Sequence, residues 1–323
     1  MTTMRTRSIR NVSIAFVASV TLGDAATVRG QQPAFKSGVD LVPLTVTVTD
    51  AKGKCISNLT DSDFQVYEDG VEQPLAFFAG GDVPLDVALV LDTSSSMAID
   101  LPQVRSAAIG LVRSLRAVDR AAIIGLNGSV DIRHWFTSDR AEAERAIQKL
   151  SAAGETALYD GLYVVLREFE RARKATPQVR RQALVLLSDG LDTSSHLGFD
   201  DVLETARRSA VNIYVIALRG PLRQVPRHEQ DGAILQADYA LNTVTGASGG
   251  RLFLPKATRD LSGIYTAIAQ ELFNQYELGY MPLRAVSDRG FRRLAVRVRS
   301  QPNVLARTRS GYYASSRATT GSE

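Results

Sequence analysis

The chain has 323 residues, 45% hydrophobic and 22% charged, an ordinary balance for a folded protein with room for one large core or two modest ones. Its formal net charge of +4 gives little support to a nucleic-acid partner. With Cys55 the single cysteine, an internal disulfide and a multi-cysteine zinc cluster are excluded, and no apolar run approaches the ~18 residues of a membrane-spanning helix.

At the N-terminus a basic stretch with Arg5, Arg7 and Arg10 precedes an apolar run over 12–22, and small residues follow at Ala25 and Ala26. This is the three-part plan of a secretory signal peptide, so residues 1–26 are expected to be removed on export to the periplasm or beyond. The competing reading is an amphipathic or disordered arm. No cysteine follows the apolar run, which argues against a lipid anchor.

Residues 39–80 have the pattern of β-structure. Val42, Leu44, Val46 and Val48 alternate with polar residues, and turn signals at Asp50-Ala51-Lys52-Gly53 and Asp69-Gly70 separate further apolar stretches. From 84 to 275 the pattern changes. Residues 87–91 form an unbroken apolar run, as in a strand buried on both faces of a parallel sheet. Val104, Ala108, Leu111, Val112 and Leu115 then recur at helical spacing. Strands are predicted at 121–126, 130–136, 183–187 and 213–218, and helices near 139–151, at 158–173 and between the last two strands. Alternation of this kind specifies an α/β fold with an open, doubly wound, mostly parallel sheet. Residues 276–313 return to β, with strands at 276–280, 294–298 and near 304–313. Neither β segment is long enough to stand alone. Together they supply six or seven strands, enough for a small β-sandwich into which the α/β domain is inserted. Residues 314–323 are small and polar and are expected to form a disordered tail.

The informative motif is Asp92-Thr93-Ser94-Ser95-Ser96, directly after the apolar run ending at Leu91. Ligands of open α/β sheets bind beyond the carboxyl ends of the strands. A carboxylate followed by hydroxyls two and four residues later turns hard oxygens into one cavity, a donor set for Mg²⁺ or Mn²⁺ rather than zinc. Thr156, before the helix at 158–173, and Asp189, at the end of the strand over 183–187 and followed by Gly190, are expected at the same edge. The competing reading has Ser94 and Ser96 capping the next helix and Asp189 capping a loop. A second stretch, Asp192-Thr193-Ser194-Ser195-His196, mimics the first motif but lacks its last hydroxyl; it reads as a turn into the helix near Phe199.

These residues resemble the von Willebrand factor type A family and its metal-ion-dependent adhesion site. The Asp-x-Ser-x-Ser pattern is matched by Asp92, Ser94 and Ser96, the family's lone Thr by Thr156 and its later Asp by Asp189, all five in order. The flanking stretches around 59–75 and 276–313 resemble those of a bacterial subfamily of related proteins. The resemblance implies a bound Mg²⁺ (or Mn²⁺) with some carboxylate contacts through water and one open position, which an acidic side chain of a protein partner fills.

The expected activity is therefore adhesion-type binding without catalysis. The rivals are a metal-assisted hydrolase, which needs a positioned base or activated water, and a structural module whose ion only ties loops together. His134, His196 and His228 are the three histidines; none has ligand or triad spacing, and each is expected in a loop. GxSxG, Walker A, HExxH and GxGxxG motifs are absent from the sequence. The connection over 219–232 is long for an α/β unit. With Arg219, Arg223, Arg227 and His228, it is expected to emerge on the metal face and steer an acidic partner.

Overall fold

The apolar run over 87–91 forms the middle of β5 (Leu85–Asp92), whose eight residues are all buried. Its side chains divide by parity, as a strand covered on both faces requires. Leu85, Val87, Leu89 and Leu91 enter one core, while Ala88 and Val90 enter a second on the opposite face. The computed structural model describes residues 41–175, 178–219, 227–284, 290–299, 301 and 303–314, with backbone alone at 227–231. The segments expected to be a signal peptide (1–26) and a disordered tail (314–323) lie outside the described residues, Ala314 excepted.

β5 belongs to a six-stranded sheet that also contains β6 (Arg120–Leu126), β7 (Val130–Thr137), β8 (Arg181–Ser188), β9 (Asn212–Ala217) and β10 (Arg251–Phe253). The strand order is β10-β9-β8-β5-β6-β7, parallel except for the edge strand β7. Helices α1 (Leu101–Ser114), α2 (Arg140–Gln148) and α6 (Leu261–Phe273) cover one face; α3 (Leu158–Ala175), α4 (Phe199–Arg208) and α5 (Arg227–Ser248) cover the other. The connection leaving β5 enters α1 on one face and that leaving β8 enters α4 on the other. The adjacent carboxyl ends of β5 and β8 therefore flank the crevice where chain direction reverses.

Two of these helices were not anticipated from the sequence. In α5, Gly232 and a polar first turn obscure the buried positions Ala237, Ala240, Leu241, Val244 and Ala247. In α6, Gly263 and several β-branched and aromatic residues lower intrinsic helix propensity, yet Leu261, Tyr265, Ile268 and Leu272 are buried in the core, and packing decides the outcome.

The two flanking segments build a sandwich of two four-stranded sheets. β1 (Val42–Thr49), β2 (Phe64–Glu68), β3 (Val71–Gln73) and β4 (Leu75–Ala79) precede the α/β domain; β11 (Tyr276–Tyr280), β12 (Phe291–Val298), β13 (Leu305–Arg307) and β14 (Gly311–Tyr313) follow it. One sheet runs β13-β1-β11-β4, with strands of the two segments alternating, and the other runs β14-β12-β2-β3, with the segments joined where β12 pairs with β2. The sandwich has eight strands rather than six or seven, because the stretch near 304–313 splits into two short strands that join different sheets and Val71–Gln73 forms a strand of its own. The hairpin of β2 and β3 turns on Asp69 and Gly70, both with positive φ, as a tight two-residue hairpin requires.

The sandwich core holds Val42, Leu44, Val46, Phe64, Val66, Leu278, Leu294 and Val296. In phase with these apolar positions lie two charged residues, Glu68 on β2 and Arg292 on β12. They pair at 2.8 Å while almost fully buried, and Glu68 also accepts hydrogen bonds from the hydroxyls of Tyr280 and Tyr312. The second face of β1 meets the α/β domain. There the Gln275 amide nitrogen donates to Thr47 Oγ1 at 3.2 Å and to the Tyr214 hydroxyl oxygen at 3.0 Å.

Candidate cation site at the sheet switch point

Three loops converge at the carboxyl edge, and backbone hydrogen bonds stitch them together. Thr93 N donates to Leu126 O at 2.6 Å, Ala153 N to Thr93 O at 2.8 Å and Ser95 N to Gly154 O at 2.9 Å. The loop after β5 is thereby tied to the end of β6 and to the segment that carries Thr156.

Asp92, the last residue of β5, has no solvent exposure. One carboxylate oxygen accepts from Ser94 N at 2.9 Å and the other from Ser188 Oγ at 2.6 Å. Among the described residues no basic side chain forms an ion pair with it. Burial pushes its pKa above the ordinary carboxylate value; the hydrogen bonds from Ser188 and Ser94 oppose that shift, and the charge of Asp189 adds to it. Ser188, which the sequence reading passed over, sits at the end of β8 and also accepts from Gly190 N at 2.9 Å. The only signal for it is a hydroxyl directly after the apolar run over 183–187.

From Asp92 the site continues as a line of oxygens. Ser94 Oγ and Ser96 Oγ are 2.9 Å apart, and Ser96 Oγ donates to Asp189 Oδ2 at 2.8 Å. The capping alternative for the two serines is not what the fold uses. Ser94 makes no side-chain capping bond to the short 3-10 turn Ser95–Met97, and the residue before α1 is Asp100. The other Asp189 oxygen accepts from Leu191 N at 3.1 Å. Gly190 has φ +82°, and a Cβ there would lie 2.7 Å from Arg219 Nη1, so this turn requires glycine.

Thr156 is buried two residues before α3. It is joined to the serine loop through the backbone of residues 153–154, but its hydroxyl makes no hydrogen bond to the other four predicted residues. Its main chain is engaged by the 192–195 stretch. Thr193 Oγ1 accepts from Thr156 N at 2.9 Å, and Thr193 N and Ser194 N donate to Thr156 O at 2.9 and 3.2 Å. The look-alike motif thus belongs to the architecture of the site, besides leading into α4.

The remaining candidates need correction. Arg227 and His228 lie in the first turn of α5 rather than in a loop, and Arg223 lies outside the described residues. Arg219 is not free to steer a partner: its guanidinium donates to the Asp189 main-chain oxygen and pairs with Asp238, bracing the turn that presents Asp189. His134 stands in β7, where its Nε2 is 3.2 Å from Glu142, and His196 contacts Asp160 from its loop.

The donor set fits a hard divalent cation. It combines a buried carboxylate lacking a cationic partner, a second carboxylate and aligned serine hydroxyls, all oxygen. Asp92, Ser94, Ser96, Thr156 and Asp189 are the residues that would hold it. Among the described residues no three His, Cys, Asp or Glu side chains cluster as a site of another kind.

Residues 86–244 match the sequence model of the von Willebrand factor type A domain. The α/β domain is such a domain. Among curated relatives, an uncharacterized protein of Synechocystis is 33% identical over 111 residues, covering 33% of this chain and 26% of the relative. A UPF0353 protein of Mycolicibacterium gilvum is 25% identical over 229 residues, covering 66% of each. The chain thus spans about a quarter of the first relative and just under two thirds of the second. Among solved structures, a von Willebrand factor type A protein from Catenulispora acidiphila superposes with a TM-score of 0.49 at 14% identity, covering 74% of this chain and 52% of that one.

Proposed function

We propose that this protein is a binding module that grips an acidic group of a partner protein through a divalent cation, Mg²⁺ or Mn²⁺, held by Asp92, Ser94, Ser96, Thr156 and Asp189. Domains of this family generally serve protein–protein interaction. The observation that carries the cation reading is the Asp92 carboxylate, which has no solvent exposure and no ion-pair partner among the described residues. A buried charge of this kind is normally paired or bound to a metal. When bound, the ion supplies an electropositive, coordinatively open position for a carboxylate oxygen. The protein's own part is to fix the oxygens. Ser188 and the Ser94 N–H orient Asp92, the Ser96 hydroxyl holds Asp189, and Arg219 fixes the Asp189 main chain.

Binding is favoured over hydrolysis by how the hydroxyls are used. Ser94 and Ser96 bond to each other and to Asp189, whereas His134 and His196 are engaged with Glu142 and Asp160 elsewhere. The basic-then-apolar N-terminal segment supports an encounter outside the cytoplasm. Among the described residues no helix is long and apolar enough to cross a membrane.

The test is thermal melting of the full chain with and without Mg²⁺. A ligand that binds only the folded state stabilises it by about 2.7 kcal/mol at a hundredfold excess over its dissociation constant. Wild type should melt higher with Mg²⁺ and Asp92→Ala should lose the shift; equal shifts in both would place the ion elsewhere.

A further inference from the structure

We infer that residues 192–195 form a positioning brace for the cation site, which sets the placement of Thr156 and the start of α3. The inference rests on the cation reading above. It goes beyond that reading by assigning a role to residues that touch no ion.

Thr156 N has its bond from this stretch, and Thr156 O takes three: from Thr193 N at 2.9 Å, from Ser194 N at 3.2 Å and from Thr193 Oγ1 at 3.3 Å. Both peptide groups of the residue are thus held by one loop, and its hydroxyl is the polar group left for a ligand.

The helix start that follows is held by the same loop. The first N–H groups of a helix lack intrahelical acceptors and normally take one from an adjacent Ser, Thr, Asp or Asn. Here the preceding residue is Ala157, which has no side-chain acceptor. Asp192 Oδ1 accepts from Leu158 N at 2.8 Å, and Ser195 Oγ accepts from Tyr159 N at 3.0 Å and Asp160 N at 3.1 Å. A 2.6 Å bond from Ser195 Oγ to Asp192 Oδ1 locks the two caps together. Asp160 continues the junction by accepting from Leu197 N at 2.9 Å.

The arrangement also explains why the second motif is not a second cation site: Asp192 Oδ1 is already spent on a helix amide, and His196 stands where the last hydroxyl would be. The brace further couples two cation-site loops, since it follows Asp189 directly and ends on Thr156. Outer partners that orient metal ligands typically contribute about 10- to 100-fold in affinity.

The experiment is Mg²⁺ titration by calorimetry on the full chain, paired with melting in chelator and amide exchange. Thr193 is exposed, so Thr193→Val should fold. It should bind Mg²⁺ about 10- to 100-fold more weakly, and Thr193→Ser should restore wild-type affinity. Ser195→Ala, a second variant, should weaken Mg²⁺ and speed exchange at the Tyr159 and Asp160 amides. A merely structural role would lower melting in chelator and leave Mg²⁺ affinity unmoved. The proposal is overturned if Thr193→Val and Ser195→Ala both bind Mg²⁺ as tightly as a wild type that does bind it. If wild type takes up neither Mg²⁺ nor Mn²⁺, the cation reading itself falls, and the brace with it.

Discussion

Replacing Arg292 by Met tests how the two ends of the chain are joined. Arg292, on β12, is about 1% exposed, and its partner Glu68, on β2, is about 4% exposed. Their 2.8 Å contact lies in the sandwich core, where Glu68 also accepts from Tyr280 of β11 and Tyr312 of β14. Four strands from both flanking segments therefore meet at one carboxylate. Arg292→Met keeps the aliphatic stem and removes the cation, leaving Glu68 buried with two hydroxyl donors. Removing one member of a buried pair costs about 3–5 kcal/mol. At about 2–4 °C per kcal/mol for a domain of 150–250 residues, melting should fall by roughly 6–20 °C. The measurement is urea unfolding of Arg292→Met, Glu68→Leu and the double variant. Because each single variant strands a partner, the double should cost less than the sum of the singles by about 2 kcal/mol or more. A loss below about 1 kcal/mol for Arg292→Met, or strictly additive costs, would show that this pair does not hold the two segments together.

Glu277 provides a pH test. It is buried on β11, accepts from Thr45 Oγ1 at 2.6 Å, and has its pKa pushed up to about 7 by burial, against the nearby charges of Arg181 and Arg309. The folded state therefore holds this proton more tightly than the unfolded chain. Its contribution is fully present below the unfolded value near 4.5 and is lost as pH rises through about 7. Wild type should lose on the order of 3 kcal/mol across that window relative to Glu277→Gln; parallel stability–pH curves for the two proteins would contradict this. Gly250, in the turn between α5 and β10, is a steric test. A Cβ there would sit 1.9 Å from Ile213 O, so Gly250→Ala should cost about 3 kcal/mol or more, and a variant melting with wild type would show that this backbone can part.

Much of the α/β domain was legible because its signals are local. The unbroken apolar run of β5 marks a doubly covered strand, and Asp92, Ser94 and Ser96 follow directly from its end. Thr156 and Asp189 were found as residues at the ends of other predicted elements, since parallel strands send their carboxyl ends to one edge. What escaped depends on contacts between distant residues. Thr193 and Thr156 are 37 positions apart, and nothing in either stretch announces the other. Arg219 looked like a free loop cation because its partners, the Asp189 carbonyl and Asp238, are supplied by the fold. Arg292 and Glu68 leave a fainter trace. Each keeps the parity of the apolar positions on its strand, where a charge is costly unless paired, and that breach of the alternating pattern signals a buried pair.

A crystal structure of the full chain soaked in Mn²⁺, with the ion located by its anomalous signal, tests the cation site itself. One strong peak is expected at the carboxyl edge of β5 and β8, coordinated at roughly 2.1 Å by oxygens of Ser94 and Ser96 and by Asp92, Thr156 or Asp189 directly or through water. A saturating soak that leaves that edge without a peak, or puts the ion on other residues, would contradict the proposed site.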